Sequence, residues 1–215
     1  MIQATIPYVE ELPTNTIGFM EAQSILENKG KRINIDRHNW ATRFPYAPQV
    51  SVWVAYNKAG LYLSYVYDGL SLRALSPGDG NYVHEDSCVE FFMQKEEGAS
   101  YTNFEFNVAG VCYAAFHQTR KQSRVFTPDE YARILRYTPL EGQIIPEQHG
   151  VHVWKLTVMI PWDLMGYDTI PQKFYANFYN CADGTSDPHY MSWSPIPLDK
   201  PNFHCPQYFG EIILQ

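Results

Sequence analysis

The chain has 215 residues and a net charge of -7, from 23 acidic against 16 basic side chains. No Lys/Arg run exceeds the Arg120-Lys121 pair, so nucleic acid and anionic membranes lack an electrostatic driver as partners, and no apolar run nears the roughly 18 residues a membrane helix needs. With 45% hydrophobic residues the composition predicts a soluble globular protein, a single domain over 1–215.

In chain order, the stretch from Met1 to Pro13 has neither the basic n-region nor the apolar h-region of a signal peptide. The chain as written is expected in the cytoplasm; a leader already removed would place it in the periplasm or outside the cell. Phe19–Asn28, ahead of Gly30, reads as a helix. From Val50 onward period-two alternation dominates, predicting strands at Gln49–Asn57, Leu61–Asp68, Ser87–Gln94, Tyr101–Ala109 and Val111–His117. Asn57-Lys58-Ala59-Gly60 and Ala109-Gly110 read as tight connections, so neighbouring strands pair antiparallel. Thr127-Pro128-Asp129-Glu130 carries helix-start signals. Further strands follow at Ile134–Thr138, His152–Ile160, Lys173–Cys181, His189–Trp193 and Phe209–Leu214, with a helical turn near Pro161–Met165. The pattern is that of an all-β sandwich with minor short helices.

The alternation also sorts side chains by face. In Tyr101–Ala109 it sends Phe104, Phe106 and Val108 to one side and Asn103, Glu105 and Asn107 to the other. In Ser87–Gln94, Val89, Phe91 and Met93 share a face, and Glu90 lies opposite them between Cys88 and Phe92. In Lys173–Cys181, Phe174, Ala176 and Phe178 alternate with Tyr175, Asn177 and Tyr179. The bland reading is a solvated sheet face. Aligned in one sheet, however, these residues suit a sugar: carboxylates accept hydroxyl hydrogen bonds, Asn both donates and accepts, and aromatic rings pack on the C–H face of a pyranose. Arg73 is the best-placed basic donor, with a salt bridge to Glu85 or Asp86 as its ordinary alternative. Trp193 is either a stacking platform or a plug at the end of the sandwich.

Four cysteines, Cys88, Cys112, Cys181 and Cys205, are too few and too widely spaced for a disulfide scaffold or a zinc knuckle and are expected as buried free thiols. His149 and His152 form the one close histidine pair, which makes no zinc site alone. No metal and no cofactor is expected, and the oligomeric state is open.

Asp86-Ser87-Cys88-Val89-Glu90-Phe91-Phe92, Asn103-Phe104-Glu105-Phe106-Asn107, the segment from Trp154 to Pro161, and the ending Phe203-His204-Cys205-Pro206-Gln207-Tyr208-Phe209-Gly210-Glu211 together resemble the family 9 carbohydrate-binding modules. The likeness is nearest to the stand-alone family-9-like proteins of gut bacteria and runs from Arg32 to the end. It implies a β-sandwich of two antiparallel sheets, jelly-roll-like, and a slot that takes a glycan end between two tryptophans. Trp193 resembles one of these. Where the other would fall, this chain has Tyr82, Val83 and His84, so His84 or Tyr82 would stand in its place. Glu90 matches the carboxylate that binds sugar hydroxyls. Some members hold structural calcium, but no Asp-rich loop here calls for it.

The expected function is non-catalytic carbohydrate binding in the service of polysaccharide catabolism, with ligand contacts from Arg73, Tyr82, His84, Glu90, Glu105, Asn107, Asn177, Tyr179 and Trp193. Two alternatives stand beside it. Glu90 and Glu105 could serve glycoside hydrolysis, which needs paired carboxylates, and Met93, Met191 and His189 could ligate haem in a redox sandwich of the DOMON type.

Overall fold

Period-two alternation becomes two packed sheets in this protein, whose computed structural model describes residues 1–98, 100–119 and 121–215. The elements are β1 (Gln3–Ile6), α1 (Glu21–Lys29), β2 (Lys31–Asn34), β3 (Gln49–Tyr56), β4 (Gly60–Ala74), β5 (Cys88–Gln94), β6 (Tyr101–Asn107), β7 (Cys112–Thr119) and β8 (Gln122–Val125). They continue with α2 (Pro128–Ala132), β9 (Leu135–Tyr137), β10 (Ile145–Pro161), β11 (Lys173–Cys181), β12 (Tyr190–Ser192) and β13 (Gly210–Leu214). Among the described residues the larger sheet has eight strands, in the order β1-β13-β11-β5-β6-β7-β8 with β12 paired to β11. The smaller has five, in the order β2-β3-β4-β10-β9. Only β1 and β13 pair in parallel among these strands.

The main core lies between the sheets. Val89, Phe91, Phe104, Phe106, Phe174 and Phe178 of the larger sheet join Val52, Val54, Leu63, Leu156 and Val158 of the smaller in one cluster. Phe91 stacks on Phe178 at 5.4 Å and on Phe104 at 6.1 Å. Each such side chain contributes about 1.5–3 kcal/mol by leaving water.

A second apolar cluster covers the other face of the larger sheet. Cys88, Phe92, Tyr101, Tyr179 and Cys181 of the strands meet Trp40, Ile196, Phe203 and Phe209 of the loops. Every residue of β5 and β6 is therefore buried. The solvated-face reading is excluded by this loop layer, which alternation within a strand does not reveal.

The expected turns form for identifiable reasons. Asn57 accepts the Ala59 N–H on its side-chain oxygen at 2.8 Å, and its own N–H donates to the Gly60 carbonyl at 3.1 Å. A Cβ on Gly60 would collide with the Ile160 carbonyl oxygen, so β4 and β10 approach closely only because that side chain is absent. Gly110, at φ +81°, closes the connection between β6 and β7. The Thr127 side chain caps α2 by accepting from the Glu130 N–H at 3.3 Å, while Glu130 accepts from the Thr127 N–H at 2.8 Å. The turn expected near Pro161–Met165 is a 3-10 helix at Trp162–Met165.

Three strands were not legible in advance. β2 and β8 are polar and lack a core-facing stripe, and β1 is held by parallel pairing with the far end of the chain. β4 and β10 also run longer than their apolar stretches, β10 through two irregularities in register between Ile145 and His152. No helix among the described residues is long and apolar enough to cross a membrane.

Candidate functional site

Register brings the polar row together. On β5, Glu90 stands directly opposite Glu105 of β6 and Tyr179 of β11, Phe92 stands opposite Asn103 and Asn177, and Cys88 opposite Asn107 and Cys181. Directly opposed residues in antiparallel strands have Cβ atoms about 4.5–5.5 Å apart, so the two carboxylates are neighbours by construction. Both are buried, at 2% and 5% exposure.

The row divides into residues that reach a cavity and residues that hold the fold. Asn107 donates to Asp86 at 2.9 Å, and its oxygen accepts the N–H groups of Ala109 and Val111. Asn177 donates to the Ser194 carbonyl at 3.1 Å and accepts the N–H groups of Phe178 and Ser194. Their amides are occupied within the protein. Asn103 donates to Glu105 at 2.6 Å and takes a 3.0 Å bond from Nε2 of His117. Because the Asn103 oxygen can only accept, Nε2 carries the proton. His117 stacks on Tyr101 at 4.5 Å, and the Tyr101 hydroxyl meets Nδ1 of His204 at 2.8 Å.

Above the carboxylates opens a cavity of about 230 Å³, small beside the roughly 300–1,000 Å³ of drug-sized sites. Glu90, Glu105 and Cys181 supply its strand side. His84, Asp183 and Tyr190 line it next to the strand ends, and Asn202, Phe203 and His204 line it from the C-terminal loop. The loops are tied to each other: the Asp183 N–H donates to the His84 carbonyl and the Gly184 N–H to the Glu85 carbonyl, each at 3.0 Å. No Lys or Arg lines the cavity among the described residues.

The acids share one electrostatic problem. Burial, and then repulsion from Glu105, holds the Glu90 carboxyl well above its ordinary value. Burial lifts Glu105 to about 7, although the Asn103 amide opposes the rise. Asp183 is raised by burial, with His84 and Tyr190 pulling it down. Two opposed buried carboxyls favour sharing a proton over ionising together.

The other expected contacts lie elsewhere. Tyr82 is exposed beside His84, their rings 5.6 Å apart, at the rim. Arg73 is not a cavity donor: it pairs with Asp86 at 3.1 Å and Glu85 at 3.7 Å, and Asp86 in turn accepts the N–H groups of Leu75 and Ser76. Tyr179 is fully buried; its hydroxyl bonds the Phe203 carbonyl at 3.2 Å and its ring stacks on Phe203 at 4.2 Å. It positions a cavity residue without lining the cavity. Trp193 packs in the intersheet core, 5.6 Å from Phe178 and against Gly210, as a plug and not a platform. Met93 and Met191 lie in that core as well, and His189 bonds the Asp187 carbonyl at 2.8 Å.

Sequence reasoning missed Asp183, Tyr190, Asn202, Phe203 and His204. Asp183 had a signal, since it extends the 177, 179, 181 alternation by one step past β11. The C-terminal loop has no period to read, and only the family resemblance, through Phe203-His204, points to it. All four cysteines are buried and free, as expected.

A model of carbohydrate-binding family 9 matches residues 20–214. Among solved structures, a protein of Bacteroides uniformis ATCC 8492 to which carbohydrate binding has been ascribed shares 29% identity over 99% of both chains, with a TM-score of 0.90. A family 9 module of Caldicellulosiruptor kristjanssonii, solved with glucose, gives 14% identity and a TM-score of 0.58 over 100% of this chain and 96% of that one. The same organism's module with cellotriose gives 12% identity and a TM-score of 0.56, over 100% and 94%. These two show the likeness of fold. No curated protein matches the chain.

Proposed function

Because the chain belongs to carbohydrate-binding family 9, we propose that it is a non-catalytic sugar-binding protein whose ligand is a neutral monosaccharide or glycan end held over Glu90 and Glu105. The observation that carries this reading is the cavity itself: two opposed acids at its base, aromatic rings around it, and a small volume of about 230 Å³ that suits a single sugar ring. An ionised Glu105 accepts two hydroxyls, a protonated Glu90 donates to one oxygen and accepts from another, and Asn202 adds an amide. Phe203, Tyr190, His84 and His204 supply the apolar walls that two tryptophans would give, with Tyr82 at the rim. Solved family 9 modules hold glucose and cellotriose, which supports a role in polysaccharide catabolism.

Three acids and no Lys or Arg at the cavity disfavour uronic acids and sugar phosphates, whose anions would meet uncompensated negative charge. Hydrolysis is disfavoured for a geometric reason. A hydrolase flanks the scissile bond with its two carboxyls, whereas Glu90 and Glu105 stand side by side on adjacent strands and meet any ligand from the same side. A glycan array with neutral and acidic sugars tests the reading. Binding confined to neutral glycans and lost in Phe203→Ala is expected; preferential binding of uronates, or new reducing ends on incubation with the bound glycan, would refute it.

A further inference from the structure

Spacing along the chain offers no metal knuckle, yet the fold brings Cys88 and Cys181 into direct cross-strand register with Glu90 beside them. The two sulfurs and a Glu90 carboxylate oxygen lie within 4.8 Å of one another, and all three residues are buried. The Cys181 sulfur is 3.1 Å and the Cys88 sulfur 3.9 Å from Oε1 of Glu90. A tetrahedral zinc ion with Zn–S of about 2.3 Å and Zn–O of about 2.1 Å separates such donors by about 3.6 Å, so the two distances bracket the value required.

We propose that Cys88, Cys181 and Glu90 form a binding site for one thiophilic divalent cation of the zinc class at the base of the cavity. Cys181 and Glu90 line the cavity, so the fourth coordination position opens on solvent there. Two thiolates and one carboxylate suit zinc or cobalt and not calcium or magnesium, which take oxygen ligands. Binding is a proton exchange: the cation enters, two S–H bonds and the Glu90 O–H bond break, three metal–ligand bonds form, and three protons leave to solvent.

The test is titration of cobalt(II) into chelator-treated protein kept reduced with a phosphine, reading the thiolate-to-cobalt charge-transfer band. One equivalent should bind with that band, Glu90→Gln should weaken binding at least tenfold, and Cys88→Ser and Cys181→Ser should each abolish the band while melting as folded proteins. Absence of the band from folded wild-type protein overturns the proposal, as does a band that survives both serine substitutions. So does a mass two hydrogens low with Cys88 and Cys181 joined. Sugar titrations on chelator-treated protein read the sugar site separately, so loss of one property does not mimic loss of the other.

Discussion

At the scale of single residues, the account rests on Glu90 and Glu105. Their row was legible because alternation separates polar from apolar side chains within a strand, and register then aligned Glu90, Asn103, Glu105, Asn107 and Asn177. Which of them face a cavity was not legible. Asn107 and Asn177 are bound to backbone N–H and C=O groups that alternation does not locate, and Trp193 turns into the core. A consequence follows for pH. Glu105 is raised from 4.5 to about 7 in the fold, so the native state holds a proton that the unfolded chain releases, and stability falls as pH rises between about 4.5 and 7. Thermal melts of the wild type and Glu105→Gln over that range test this: the wild type should lose stability relative to the variant as pH rises. Parallel curves would show that Glu105 titrates normally.

At the scale of elements, the strands with strong alternation formed as expected, and α1, at Glu21–Lys29, ends at Gly30, whose N–H donates to the Leu26 carbonyl at 2.8 Å. β1 and β2 were illegible because four residues are too few for alternation to stand out, although Ala4, Ile6 and Ile33 reach the core, and β8 is exposed throughout. Gly60 shows how one position constrains two elements. Gly60→Ala inserts a methyl against the backbone of β10 and should cost about 1–3 kcal/mol. Urea unfolding measures it; an unchanged midpoint would mean that β4 and β10 can separate at no cost.

At the scale of the molecule, the feature beyond sequence reading is the loop layer over the larger sheet. It buries a face that would otherwise be wet and, with Phe203 and His204, completes the cavity. A single core cluster spans both sheets, so near- and far-ultraviolet circular dichroism should report one coincident unfolding transition; two separated transitions would divide the chain into independent units. The central claim is that a neutral sugar sits over the Glu90 and Glu105 pair. Calorimetric titration of glucose and cellobiose into wild type and Glu90→Leu tests it most directly. Because the variant removes a hydrogen-bonding group from the base of the cavity and keeps its bulk, affinity should fall at least tenfold, about 1.4 kcal/mol. Equal affinity in the two proteins would contradict the account.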